Sequence, residues 1–219
     1  MEAARQKLLR CRIRLNRKKY KTDSINMKKY IFAVLALLVA INCAGQNKTN
    51  DTMDMNAIVI FFSHAGENYS VGNIEVGNTK IVADYISEFT GADQFEIVAE
   101  KDYDMPYNKL IQVTKEEANK GEMPAYKGDI DVSKYDTIFI GGPIWWGTYP
   151  QVMFTFFRDH DLNGKTIIPF VTHEGSGLAS TVSDIKKAWP NATVKDGFAI
   201  YGHEVRTGKA KVEKWIKGL

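Results

Sequence analysis

The sequence predicts an α/β fold: a five-stranded parallel sheet covered by helices on both faces. Three observations predict it. Short apolar runs rich in β-branched and aromatic residues recur five times between residues 57 and 201. The segments between them carry apolar residues at helical spacing. Most of the runs are nearly continuous rather than alternating, as strands buried on both faces require. Residues 57–219 therefore read as one domain, with no internal repeat.

Each element has its own signal. Residues 57–63 (AIVIFFS) form the first strand, ending at a Gly-containing loop. Thr79 to Thr90 places Ile81, Val82, Tyr85, Ile86 and Phe89 on one helical face, and Gly91 stops it. Gln94 to Ala99 is the second strand, with Phe95, Ile97 and Ala99 alternating against polar partners. A helix over 108–119 follows Pro106 and is expected to bury Leu110, Ile111 and Val113. Thr137 to Ile140 is the third strand, running into Gly141-Gly142-Pro143. The spacing then predicts a helix over 151–158 with Val152, Phe154 and Phe157 inward, and a fourth strand over 166–171. A helix over 180–189 is stopped by Pro190. Ala192 to Tyr201 supplies the fifth strand, and Val212, Trp215, Ile216 and Leu219 mark the stripe of a closing helix.

Composition narrows the function. The 219 residues are 44% hydrophobic and 11% aromatic, which supports a core and excludes disorder. The formal charge of +3 is unevenly spread: residues 1–46 hold 11 Lys/Arg against 2 Asp/Glu, leaving 18 against 24 in the remainder. The folded part is acidic, which removes support for a nucleic-acid partner. Both cysteines, Cys11 and Cys43, lie in the leader, so the body has no disulfide, thiolate metal site or Cys nucleophile.

The leader points to export. Met27-Lys28-Lys29-Tyr30 precedes an unbroken apolar run of 11 residues over 31–41, too short to span a bilayer and typical of a secretory signal, here residues 27–45. Cys43 after Ala40-Ile41-Asn42 matches a bacterial lipoprotein box except at Asn42, where a small residue is usual; cleavage after Gly45 is the alternative. Residues 46–56 read as a flexible tether. Residues 1–26, basic and without apolar period, read as lying upstream of a true start at Met27. The expected location is the periplasm of a bacterium, free or lipid-anchored.

In parallel sheets, ligands bind beyond the carboxyl ends of the strands, so the loops after strands one, three and four should carry the chemistry. The first runs Ser63-His64-Ala65-Gly66, then on to Gly77-Asn78-Thr79 at a helix start. Such an end offers backbone N–H groups, hydroxyls and the positive dipole to a phosphate, without Lys or Arg. An ordinary helix cap by Asn78 or Thr79 is the plainer reading. The loop is neither a Walker A nor a G-x-G-x-x-G motif. The second loop, Pro143-Ile144-Trp145-Trp146-Gly147, sets two tryptophans side by side. Consecutive residues do not both point into one interior, and a planar ligand stacked on an indole explains one of them. The third, Thr172-His173-Glu174-Gly175-Ser176-Gly177, lets backbone approach a ring edge, and read alone it is a plain strand-to-helix turn.

Together these loops resemble flavodoxin, over residues 57–219. The resemblance implies a flavodoxin-like three-layer α/β/α sandwich of order 2-1-3-4-5 that binds FMN noncovalently. It implies that Ser63, His64, Ala65, Asn78 and Thr79 hold the phosphate, with Gly66 and Gly77 in the same loop. Pro143 to Gly147 would line one side of the isoalloxazine, and Thr172 to Gly177 the other edge. It further implies electron transfer to redox partner proteins, with an NAD(P)H-dependent quinone or flavin reductase as the rival activity. Two features depart from the pattern. Fifteen residues, 64–78, separate Ser63 from Thr79, an insertion that either covers the FMN or projects as a flap, with Tyr69 available as a ring. The third loop has His173 where a Tyr is usual, leaving one flavin face open to a quinone or nicotinamide.

His173 is the candidate acid–base group, since its loop should reach the ring. His64 reads more simply as a backbone-bonding loop residue, His160 as a solvated helix end, and His203 as a surface turn. No spacing suits a metal.

Overall fold

The computed structural model describes residues 55–219. The basic leader, the signal segment, both cysteines and all but the last two tether residues lie outside them. β1 (Ala57–Phe61) is apolar throughout and fully buried. It is hydrogen bonded along both edges, to β4 (Asp93–Glu96) in register Ile58↔Asp93 and to β7 (Thr137–Pro143) in register Ile58↔Ile138. β7 pairs with β8 (Thr166–His173), and β8 pairs with both β9 (Thr193–Val194) and β10 (Phe198–Tyr201). Every pairing is parallel, and the order is the 2-1-3-4-5 arrangement expected, with the fifth run split in two. The split spans residues 195–197 and includes Gly197, where a Cβ would lie 2.8 Å from Leu178 Cδ2 and force that side chain to shift.

The second run also departs from expectation. It leaves the main sheet after Glu96, and Val98–Ala99 (β5) pairs antiparallel with Tyr126–Lys127 (β6). Ile97 at the bend still donates its N–H to Phe61 O at 2.7 Å and stays buried. The polar alternation that marks this run belongs to an edge strand with one wet face.

Alternating side chains of the strands supply two cores. On one face, Val59, Phe61, Phe139, Ile168 and Phe170 pack under α1 (Asn78–Thr90) and α5 (Lys209–Ile216). On the other, Ile58, Ile60, Ile138, Ile140 and Ile167 meet α2 (Tyr107–Lys120), α3 (Gln151–Asp159) and α4 (Thr181–Ala188). In α3, Val152, Met153, Phe156 and Phe157 are buried while Phe154 is half-buried. In α5, Val212 and Ile216 are buried; Leu219, beyond the helix end, is 41% exposed and outside the stripe.

α2 is the element whose buried face the periodicity misjudges. It buries Leu110, Thr114 and Glu117, while Ile111 and Val113 are only half-buried. Glu117 is 1% exposed, but its carboxylate pairs with Lys101 and accepts the Tyr103 hydroxyl at 3.0 Å, the compensation a buried charge needs. Among the described residues no helix is long and apolar enough to cross a membrane.

In the β7–β8 pairing Gly141 stands opposite Phe170. A Cβ on Gly141 would stand 2.0 Å from Phe170 Cζ. Gly141→Ala should therefore destabilise the domain by about 1–3 kcal/mol, the usual cost of overpacking a dense core. Urea denaturation of the two proteins measures the difference.

Candidate functional site

The crossovers from β1 to β4 and from β4 to β7 carry the chain to opposite sides of β1, so a crevice opens at the carboxyl ends of β1 and β7. It holds a cavity of about 350 Å³, within the range of small-ligand sites.

One end of the cavity is the start of α1. The N-cap of this helix is Gly77, which has no side chain to close it, and the plainer reading of Asn78 or Thr79 as caps does not hold. Ser63 Oγ accepts the Lys80 N–H at 3.0 Å, and the first two helical residues, Asn78 and Thr79, line the cavity. A Cβ on Gly77 would lie 2.2 Å from Ser63 Oγ and 2.7 Å from His64 O, so glycine is what lets the two segments touch. Thr79 and Thr172 share a buried hydroxyl–hydroxyl hydrogen bond of 2.8 Å, joining the helix start to the end of β8. Asn78, Thr79, Thr172 and His64 line the cavity; Ser63, Ala65, Gly66 and Gly77 stand behind or beside its wall.

The Trp loop forms a second wall, through Pro143, Ile144, Trp145, Trp146 and Gly147. Trp145 and Thr148 exchange backbone hydrogen bonds of 2.9 and 3.3 Å around a tight turn in which Trp146 (φ +55) and Gly147 (φ +84) are left-handed. The turn sends the two indoles apart. Trp145 is half-buried, edge-on to Phe62, Tyr103 and His64 at 5.4, 5.5 and 5.7 Å. Trp146 is 47% exposed, donates Nε1–H to Thr114 Oγ1 at 3.0 Å, and lies under Lys115 Nζ at 5.4 Å.

The third loop contributes Thr172, His173, Glu174 and Ser176, while Gly175 and Gly177 lie off the wall. Gly175 (φ +125) donates its N–H to His173 Nδ1 at 2.9 Å, which holds that nitrogen as an acceptor. Glu174 accepts the His203 N–H at 3.0 Å and contacts its Nδ1 at 2.7 Å, so His203 is tied to the cleft rim rather than being an ordinary surface turn. His160 is not a solvated helix end: it stacks on Phe156 at 4.1 Å and meets the Tyr126 hydroxyl at 3.0 Å.

Two contributions escape the sequence reading, from α2 and from the turn after β10, and a third, the insertion, was foreseen without its fold. The 64–78 insertion forms a hairpin of β2 (Gly66–Asn68) and β3 (Gly72–Ile74). It docks on α2: Glu67 Oε2 accepts the Tyr107 N–H at 2.7 Å, and the Tyr69 ring stacks on Tyr107 at 6.2 Å. Glu67, Asn68, Tyr69 and Val71 thereby line the cavity, the covering role of the two considered. α2 adds Tyr107, Leu110, Ile111 and Thr114 to the wall, which is why Ile111 is not in the core. The turn after β10 adds Gly202, with Arg206 Nη1 3.5 Å from Asn78 Oδ1. A glycine following a strand end was the one available signal for it.

The charged side chains that line the cleft are two carboxylates, Glu67 and Glu174, and no Lys or Arg lines it. Burial lowers the His64 and His173 pKa values from the ordinary imidazole value, outweighing a backbone hydrogen bond at Glu67 and the Asp104 charge for His64 and the Glu174 and Glu204 charges for His173, which favours neutral rings at pH 7. Among the described residues no cluster of His, Cys, Asp and Glu suits a metal.

A helix start and an indole-walled apolar slot in one cavity define a site for a planar ligand bearing a phosphate. The flavodoxin family model matches residues 69–219, and the chain belongs to that family, whose cofactor at this switch point is FMN. The residues present fit it: aromatic and aliphatic side chains of the Trp loop and α2 for the ring, and a helix start free of acidic side chains in its first turn for the phosphate. A candidate flavoprotein from Bacteroides uniformis is 26% identical (TM-score 0.61, covering 75% of this chain and 99% of the other). A second, from Bacteroides eggerthii, is 28% identical (TM-score 0.59, 74% and 95%). A Lactobacillus acidophilus flavoprotein in complex with FMN, 22% identical, shares the fold (TM-score 0.51, 69% and 96%). No curated protein matches the chain.

The lowered histidine pKa values set a pH dependence. The unfolded chain takes up protons on these rings before the folded one does. Stability is therefore full above about pH 6.5 and falls as pH drops below it. The urea midpoint should decrease between about pH 7.5 and 5.5, and less steeply in His64→Gln.

Proposed function

We propose that this domain is an FMN-dependent electron carrier that passes electrons between redox partner proteins. One observation carries the reading: a single cavity joins the start of α1 to both indoles, with Trp146 reaching the surface. The Asn78 and Thr79 amides and the helix dipole hold the phosphate. Pro143 to Gly147 flank the ring on one side, and Thr172 to Ser176 meet its other edge. The flavin, when bound, supplies the redox chemistry; the protein binds it, orients it and sets its electrostatics. An exposed indole at the rim gives a partner protein a short path to the ring. The apolar segment over 31–41 supports export, with Cys43 as a candidate lipid anchor.

The competing reading is a reductase consuming NAD(P)H. The wall offers no Lys or Arg to the diphosphate of a nicotinamide dinucleotide, which favours the carrier.

The purified protein should be yellow and show a flavin absorbance band. An indole stacked on the ring disfavours its electron-rich reduced form, so replacing it should raise the midpoint potential. Taking an aromatic pair as about 0.5–1.5 kcal/mol, the rise is roughly 10–30 mV for a two-electron couple. Trp145→Ala and Trp146→Ala, measured singly, identify which indole is responsible; no change in either removes the stacking role. Steady NAD(P)H oxidation with a quinone as acceptor would decide for the reductase.

A further inference from the structure

Among the described residues, the buried side-chain nitrogen or oxygen left without a partner is His64 Nε2. The residue is 8% exposed, and a buried polar atom without a hydrogen bond bears a desolvation penalty that native proteins rarely leave uncompensated. The imidazole lies in the cavity wall, where a ligand can supply the missing partner.

Its direction is settled by its neighbours. The His64 main-chain carbonyl is the part that faces the start of α1, 2.7 Å from where a Gly77 Cβ would be. The side chain has other company. It lies edge-on to Trp145 at 5.7 Å, and its Cε1 and Nε2 are 4.0 Å from the Cβ position of Gly66 at the base of the hairpin. Asp104 Oδ1 comes within 3.5 Å of the same point. The ring is thus on the side of Trp145 and the hairpin base, while the backbone carbonyl is the part of His64 set against Gly77. Burial keeps it neutral, whereas a phosphate dianion is best met by a cation or by oriented N–H groups.

We infer that His64 is a ring-side binding residue: its Nε2 exchanges a hydrogen bond with a polar edge atom of the isoalloxazine, and the phosphate is left to the α1 amides. This rests on FMN being the ligand of the cleft, and it gives the first-loop histidine a different task from the phosphate contact that the flavodoxin resemblance implies. An isoalloxazine edge carries both N–H and C=O groups, so either neutral tautomer finds a partner.

Riboflavin, which has the same ring and no phosphate, separates the two tasks. Dissociation constants for FMN and riboflavin should be measured by fluorescence titration on the wild type, His64→Phe and His64→Gln, with thermal melting confirming that each is folded. His64→Phe should weaken both ligands by a similar factor, roughly 3- to 10-fold, and His64→Gln, which retains a polar group, should recover part of the loss. In the wild type, the His64 imidazole nitrogen resonances should shift on adding FMN and stay in place on adding inorganic phosphate. Weaker FMN binding with riboflavin unaffected, or a shift with phosphate alone, would assign His64 to the phosphate and overturn the inference. Unchanged affinity for both ligands would show the imidazole to be merely buried. A wild-type protein that takes up neither ligand sinks the FMN reading itself, a distinct failure.

Discussion

β1 is hydrogen bonded along both edges and admits no polar side chain, and this constraint shapes everything around it. A strand so enclosed releases the chain only at its carboxyl end, and there Phe62 N–H is still held by Gly141 O at 3.0 Å. The first residues free of the sheet are Ser63 and His64. They emerge where the crossovers part to either side, so whatever they present faces a crevice. Gly77 then brings the start of α1 against them, and the Thr79–Thr172 hydroxyl pair fixes that start to the end of β8. The cleft follows from the pairing of one strand.

Charge in the cleft is handled by the backbone. With no basic side chain in the wall, a phosphate at the start of α1 would rely on backbone amides and the helix dipole, and the charged side chains lining the cleft are the Glu67 and Glu174 carboxylates. Positive charge stays at the edges: Arg206 near Asn78, and Lys115 over Trp146. An extra electron on a ring in this slot is solvated poorly and countered only from a distance. The arrangement favours a low potential, as does a neutral rather than protonated His64.

The three layers, the parallel strands and the Trp loop were legible because each rests on a local signal, whereas the strand order and the part played by the third loop came only with the flavodoxin resemblance. The buried strands are continuous apolar runs, the helix stops are Gly91 and Pro190, and the Trp pair follows a strand end. What was not legible depends on contacts between distant residues. The run over 94–99 looks unbroken in sequence, yet it divides at Ile97 because β6, some 30 residues on, pairs with its second half. His160 has the composition of a solvated helix end, and only the fold brings Phe156 and Tyr126 around it. The insertion gave no sign of its fold, since its strands are three residues each and its anchor, the Tyr107 N–H, is 40 residues from Glu67.

α2 shows why a count of apolar residues can misjudge a helix that serves a site. Thr114 and Glu117, three positions apart on one face, are its buried polar residues. In an ordinary core helix they would be liabilities. Here Thr114 Oγ1 accepts the Trp146 indole N–H, while Glu117 holds the Tyr103 hydroxyl, and the Tyr103 ring abuts Trp145. One polar stripe thus sets the position of both indoles. Ile111, displaced from the core face, is used as well: it walls the cavity beside the buried Leu110, and the helix start anchors the hairpin at the cavity edge. The helix between the second and third strands of the sheet is therefore a scaffold for the Trp loop, and its polar face is the part that the cofactor site requires.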